Sequence, residues 1–278
     1  MSRIAQSIVW LASYPKSGNT WLRAFMANYL VGGDVPIPLN DLGRIGFGDS
    51  SLQAYRDIAG RDPNLMPIPE LLGVRRKVLE EIADNGADIN LVKTHHAKSR
   101  IRGHWLIPAD LTRTAIYLVR NPLDMVVSYA DHWGTTQEFA ARHIALPTNG
   151  VPASKKTVSQ YLGNWSEHVR SWAKSENFRT LILRYEDLLA DPEGSFTKAV
   201  RHIGAPVEEA TIRQAIAFSS FDALSEQEST TGFSERGPKQ ERFFRRGQSG
   251  SWQDELAPEL ADKIRKDHGA VMEEYGYL

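Results

Sequence analysis

Ile8-Val9-Trp10-Leu11-Ala12-Ser13-Tyr14-Pro15-Lys16-Ser17-Gly18-Asn19-Thr20-Trp21-Leu22 is the stretch that decides the fold. Its first six residues form a short apolar run that reads as a buried strand. Tyr14 to Gly18 reads as a turn, and residues 20–30 read as a helix with Trp21, Leu22, Phe25 and Tyr29 on one face. A strand–turn–helix of this kind is a P-loop-like place for a polyanion. The turn leaves backbone N–H groups free, and the helix N-terminus adds partial positive charge. Gly18 lets the backbone approach a phosphate closely, Ser17, Asn19 and Thr20 supply short polar groups, and Lys16 supplies a mobile full charge. On local physics an ordinary turn with capping residues remains open. The stretch is not a Walker A loop, which places lysine after its second glycine; here Lys16 precedes Gly18.

Outward from that stretch, short apolar runs alternate with helical patterns. Residues 89–92, 114–119 and 180–184 read as further buried strands. Residues 122–133 fit a helix with proline in its first turn, and 158–174 an amphipathic helix carrying Tyr161, Leu162, Trp165, Val169 and Trp172. Asp191-Pro192 reads as the cap and first residue of a helix ending near Gly204, and Pro206 as the start of the next. The pattern predicts an α/β fold: a single domain over 1–278 with a central, mostly parallel sheet flanked by helices. Three turn-rich segments, 32–69, 134–156 and 228–251, read as lids or substrate loops, with plain surface excursions the other reading.

With 278 residues, 41% hydrophobic and 24% charged, the chain has the composition of a soluble globular protein. Lys and Arg number 33 against 34 Asp and Glu, a formal net charge of −1, so no global field attracts nucleic acid or an acidic membrane. Any anion site must be built locally. The absence of cysteine excludes disulfides and thiolate metal sites. No apolar run approaches the roughly 18 residues that span a bilayer, so the reading is a cytoplasmic protein with no membrane span.

Five more constellations carry chemistry. Leu91-Val92-Lys93-Thr94-His95 ends a predicted strand, at the sheet edge where ligands bind in α/β folds. Side chains alternate along an extended chain, so Lys93 and His95 share a face and His96 turns away. Histidine suits proton removal near neutral pH. Tyr117-Leu118-Val119-Arg120-Asn121-Pro122, followed by Asp124 and Ser128, is a second strand–turn–helix with a guanidinium at its turn. Leu183-Arg184-Tyr185-Glu186-Asp187 and Ser219-Ser220-Phe221 are weaker alone. Arg242-Phe243-Phe244-Arg245-Arg246-Gly247-Gln248-Ser249-Gly250-Ser251-Trp252 is a basic, glycine-rich turn.

Together these segments, in this order from about residue 8 to about 255, resemble the PAPS-dependent sulfotransferases (PAPS is 3′-phosphoadenosine 5′-phosphosulfate). The motifs look more like those of bacterial members, including enzymes that tailor glycopeptide antibiotics, than like animal ones. The resemblance implies sulfuryl transfer from PAPS to a hydroxyl or amine of a small-molecule, lipid or carbohydrate acceptor, leaving 3′,5′-adenosine bisphosphate, with no metal. It implies His95 as general base, Lys16 and Lys93 on the transferring group, and Ser128 tying the 3′-phosphate to the position of Lys16. Lys16, Ser17, Gly18, Asn19 and Thr20 would hold the 5′ end, Arg120, Ser128, Arg245, Arg246 and Gly247 the 3′-phosphate, and Trp21, Tyr185, Ser219 and Phe221 the adenosine. Three departures stand out: His96 stands where relatives often have leucine, Arg246 replaces the family's usual lysine, and Ser251 its usual aspartate, which puts the geometry of that last loop in question. The family's C-terminal dimer segment is not recognisable, so oligomeric state stays open. A P-loop kinase or ATPase and a non-catalytic nucleotide-binding relative are the rival readings; the missing G-K-[ST] and magnesium ligand oppose the first, the retained Lys16 and His95 the second.

Overall fold

The computed structural model describes residues 6–174, 176–237 and 239–278. Its centre is a five-stranded sheet built from β1 (Ile8–Ser13), β2 (Phe47–Gly48), β3 (Asn90–Thr94), β4 (Thr112–Val119) and β5 (Thr180–Arg184). The spatial order is β2-β3-β1-β4-β5, and every pairing is parallel. Eight helices are needed to follow the site: α1 (Asn19–Val31), α2 (Ile68–Ala83), α3 (Pro122–Trp133), α4 (Trp165–Ala173), α5 (Pro192–Ile203), α6 (Glu209–Phe218), α7 (Phe221–Thr231) and α8 (Pro258–Glu274).

Both faces of the sheet are covered, which explains why its inner strands are continuously apolar. Alternation along β1 sends Trp10 and Ala12 into one core and Val9 and Leu11 into the other; β4 does the same with Tyr117 and Val119 against Ile116 and Leu118. The first core is closed by α2, α3, α4 and α8, the second by α1, α5 and α6. Because the strands are parallel, their carboxyl ends lie along one edge of the sheet. Four successive exits, after Ser13, Thr94, Val119 and Arg184, therefore deliver their loops to one place.

Four local expectations are corrected. Residues 158–174 are not one helix: Gln160–Tyr161 pairs antiparallel with Gly150–Val151, and α4 begins only at Trp165. Gly163 adopts φ 67°, and the Asn164 side chain accepts from Glu167 N at 2.8 Å, so the chain breaks and caps where hydrophobic spacing alone suggested continuity. The helix expected from Pro206 starts at Glu209, because the Tyr29 hydroxyl engages Pro206 O and receives Glu208 N at 3.2 Å. The segment 32–69 is not irregular: it folds into Leu42–Ile45, Leu52–Ala59 and two single-turn helices beside β2. Likewise 134–156 contains the helix Gln137–His143, capped by Thr136. Among the described residues no helix is long and apolar enough to cross a membrane.

Candidate functional site

A cavity of about 540 Å³ opens at the carboxyl edge of the sheet, within the usual range for small-molecule sites. Its walls come from the 15–21 turn, the exits of β3 and β4, α3, Tyr185, the α6–α7 junction and the 234–251 segment. Val151, Ser154 and Lys156 join from the 134–156 segment, whereas no residue of 32–69 lines it.

The turn after β1 is built to face a ligand. Lys16 adopts φ 69° and Gly18 φ 97°, both left-handed, which curl the backbone into a tight turn of the kind that binds anions. A side chain at Gly18 would stand 2.7 Å from the Tyr185 ring, so the glycine is sterically required. α1 has no capping side chain and no acid in its first turn, leaving its N-terminal donors and partial charge for an anion. Asn19 Nδ2 pins the turn to Leu11 O at 2.9 Å. The Ser17 hydroxyl, Trp21 Nε1 and Arg120 Nε are buried donors without a hydrogen-bond partner among the described residues; Trp21 and Arg120 line the cavity, whereas Ser17, expected to hold the 5′ end, does not. Asn19 Oδ1 is also unpartnered but is an acceptor, so it does not suit an anion.

Lys16 Nζ lies 3.9 Å from the centre of the Phe243 ring. Burial, then the like charge of Arg120, lowers its pKa to about 7. Arg120 donates to Lys16 O at 3.1 Å and to Gln248 O at 3.4 Å, and its guanidinium lies 4.4 Å from the Tyr185 ring centre. Those contacts aim it across the cavity without neutralising it. Ser128 lines the cavity from α3 with no hydrogen-bond partner among the described residues.

His95 follows the last residue of β3. Its Nδ1 sits 2.8 Å from Ser13 O, and a carbonyl only accepts, so Nδ1 carries the proton and Nε2 a free lone pair. Burial first, then the charge of Lys93, lowers its pKa to about 3, which keeps the ring neutral. The main chain of His95 is held as well: its carbonyl accepts from His168 Nε2 at 3.0 Å, and His168 Nδ1 in turn accepts from the Tyr117 hydroxyl at 2.9 Å. His96 points the other way. It is buried, accepts from Tyr161 N at 3.1 Å, and lies in the field of the buried Arg75–Asp49 pair.

Several expected partners are engaged differently from the free cations the sequence suggested. Lys93 Nζ is 2.8 Å from Glu235, which also binds Arg23 at 2.8 Å. Burial would raise the Glu235 carboxyl, but the two cations hold it well below the usual carboxylate range. Arg245 and Arg246 pair with Glu255 at 2.5 and 3.4 Å. Ser219 lines the cavity, but its hydroxyl proton is committed to Ala215 O at 2.7 Å, so it offers a lone pair only. Trp21 and Phe221 both reach the cavity; Trp21 packs edge-on against Tyr185 at 5.9 Å. Gly247 lies flat on Phe221, where a Cβ would come within 2.2 Å of the ring.

The loop left in question by Ser251 has a carboxylate from elsewhere. Buried Asp124 accepts Gly250 N at 2.8 Å, Trp252 N at 3.0 Å and Ser251 Oγ at 3.3 Å. In the sequence Asp124 stands only as a member of the constellation after Arg120, with nothing local to link it to the 250–252 turn. Glu235, His132 and His168 were missed altogether, since each acts through residues far away in sequence. The cavity thus gathers Lys16, Lys93, Arg120, Arg245 and Arg246 against Glu235, with Glu255 behind: an excess of cations inside a chain of net charge −1.

The family model described as the sulfotransferase domain matches residues 6–276. Among curated proteins the chain is 26% identical over 285 residues to sulfotransferase 1 family member D1 of Rattus norvegicus, covering 96% of this chain and 83% of the relative. It is 26% identical over 284 residues to flavonol 3-sulfotransferase of Flaveria bidentis, covering 93% and 79%. Among solved structures, retinol dehydratase in complex with androsterone and inactive cofactor PAP superposes with a TM-score of 0.64 at 19% identity, covering 96% of this chain and 81% of that one.

Proposed function

The chain belongs to the sulfotransferase domain family, and from that premise we propose how its cavity works: it binds PAPS and passes the sulfuryl group to a hydroxyl of a small-molecule acceptor, with His95 as general base. The observation that carries this reading is the meeting of Lys16, Arg120 and the bare Nε2 of His95 at one cavity, beside buried donors that have no partner.

His95 is set for its part before any substrate arrives. Its proton sits on Nδ1, so Nε2 can take the hydroxyl proton as the acceptor oxygen bonds to sulfur and the bond from sulfur to the phosphate oxygen breaks. The ring then becomes a cation, stabilised by the Ser13 carbonyl and by Glu235, whose charge favours the protonated form. Lys16 stands at the head of the turn that would hold the 5′-phosphosulfate. Its interaction grows as negative charge develops on the departing oxygen, and such late-forming interactions raise the rate of the chemical step. Lys93 is anchored by Glu235 near His95, a position suited to the sulfuryl oxygens. Arg120, Ser128, Arg245, Arg246 and Gly247 would take the 3′-phosphate, and Trp21, Tyr185 and Phe221 would enclose the adenine, with Ser219 accepting rather than donating. The segments 134–156 and 228–251 supply the outer wall, and we assign them to covering the bound substrates. The retinol dehydratase complex, which holds PAP in the same fold, supports the choice of nucleotide.

The test is a screen with labelled PAPS against a library of hydroxylated metabolites, paired with titration calorimetry of 3′,5′-adenosine bisphosphate and 5′-AMP. Label transfer and a bisphosphate affinity at least a hundredfold above that of 5′-AMP are expected, since two charge-assisted phosphate contacts are worth roughly 1.5–3 kcal/mol each. Equal affinity for the two nucleotides, or magnesium-dependent turnover of ATP, would overturn the donor assignment.

A further inference from the structure

A second histidine faces the cavity and has no part in the transfer just described. His132 stands in the last turn of α3 and lines the cavity beside Trp133 and Phe243. Its tautomer follows from a chain of hydrogen bonds. Gln240 Nε2 is 2.6 Å from Asp131 Oδ2, and a carboxylate only accepts, so the amide nitrogen of Gln240 lies on that side. Gly237 N reaches the same residue's Oε1 at 3.4 Å, which agrees. Gln240 Oε1 therefore faces His132 Nδ1 at 3.1 Å as an acceptor, and Nδ1 must carry the proton. Burial, then the charge of Lys16, lowers the pKa of this imidazole to about 4, so at neutral pH Nε2 is a bare lone pair. Edge-on contacts with Trp133 at 4.5 Å and Phe243 at 6.0 Å hold the ring in place. Among the described residues nothing donates to Nε2, and the atom is not sealed from solvent.

The chemistry of its ligand follows. Phosphate and sulfate oxygens are acceptors, and an imidazole lone pair turned toward them repels them. Nε2 of His132 needs an O–H or N–H donor. The nucleotide's own donors, its amino group and ribose hydroxyl, belong to the end assigned to Trp21, Tyr185 and Phe221, whereas His132 lies in the field of Lys16 and Lys93 at the transferring end, where the acceptor molecule must sit. His95 already presents one bare Nε2 in the same cavity, and both rings feel the charge of Lys93. Two fixed lone pairs call for two donor hydrogens, one removed during transfer and one retained. We propose that the acceptor is a polyol or amino alcohol, whose second hydroxyl or amine donates to His132 Nε2 and so selects which oxygen is sulfated. This rests on the sulfuryl-transfer reading and on His95 as its base.

The experiment compares trans-cyclohexane-1,2-diol with cyclohexanol, and catechol with phenol, as acceptors for labelled PAPS, using wild type and His132→Phe. Wild type is expected to favour each two-donor probe in kcat/KM by about tenfold or more, the worth of one good hydrogen bond. His132→Phe should erase that preference, chiefly through KM, while bisphosphate affinity by calorimetry stays unchanged. A second readout is independent of turnover: 15N NMR of the wild type should show His132 protonated at Nδ1, with its Nε2 resonance shifted by the diol but not by the mono-alcohol in bisphosphate-bound protein. No diol preference in wild type, a preference that survives in His132→Phe, or no diol-specific shift at Nε2 would each overturn the inference. Loss of bisphosphate binding itself would instead sink the sulfotransferase reading, so the two failures are distinguishable.

Discussion

Asp124 offers the sharpest test of how the nucleotide end is built. Its two oxygens receive three donors from the 250–252 turn, at 2.8, 3.0 and 3.3 Å. That turn follows Arg245, Arg246 and Gly247, which are assigned to the 3′-phosphate. A hydrogen bond to a charged acceptor is worth roughly 1.5–3 kcal/mol, with the longest of the three counting least. Asp124→Asn can keep an oxygen facing Trp252 N and Ser251, but sets its NH₂ against Gly250 N. It loses one charged bond and should weaken bisphosphate binding by about ten- to a hundredfold, at roughly 1.4 kcal/mol per decade. Asp124→Ala strands all three donors and should weaken it by on the order of a hundredfold or more, and should lower Tm as well. Affinity for 5′-AMP should stay within about threefold, because that nucleotide lacks the 3′-phosphate this turn is assigned to hold and so loses no charge-assisted contact. Calorimetry with both nucleotides on both variants reads the result. Unchanged bisphosphate affinity in Asp124→Ala would refute the reasoning; a parallel fall in 5′-AMP affinity would show general loosening instead.

Three further outcomes are expected. With its pKa lowered to about 7 in the free protein, Lys16 is neutral above that pH and an ammonium below it; an anionic ligand favours the ammonium, so bisphosphate binding at pH 8 should take up a proton and weaken as pH rises. Calorimetry in two buffers of different ionisation heat measures that uptake, which should vanish in Lys16→Ala, whose turnover should fall by about 3 kcal/mol or more in the barrier; an undiminished kcat would reject the role. His95→Ala should be nearly inactive with a near-normal Tm, while His96→Ala should lower Tm and keep activity at low temperature, because His96 is packed behind the strand rather than in the cavity; kcat/KM profiles against pH that reverse this order would exchange the two assignments. His168→Phe leaves His95 O and the Tyr117 hydroxyl unpaired, at about 1–3 kcal/mol each in stability, and should cut kcat; His168→Gln restores a donor and should recover most of kcat, a rescue that a purely packing role would not produce.

The local parts of this protein were legible in its sequence. The β1–turn–α1 unit needs only contiguous residues: an apolar run, a glycine that must sit at φ 97°, and a helix that begins without a cap. The period of two along β3 separated His95 from His96, and four apolar strands with their exits located the cavity edge. Spacing alone misled at 158–174, because Gly163 and Asn164 interrupt a hydrophobic pattern that a helix would otherwise extend. What only the tertiary structure decided was which charges meet. Glu235 joins Lys93 across 142 positions and Arg23 across 212; Asp124 lends a carboxylate to a turn 126 positions away where Ser251 has none. Gln240 sets the tautomer of His132 from 108 positions away, and Ser13 that of His95 from 82. Propensity and periodicity are properties of neighbouring residues, so they can be read along the chain. Ion pairs and tautomers depend on atoms that approach within about 3 Å only after the sheet has brought its loops together, and no local pattern encodes them.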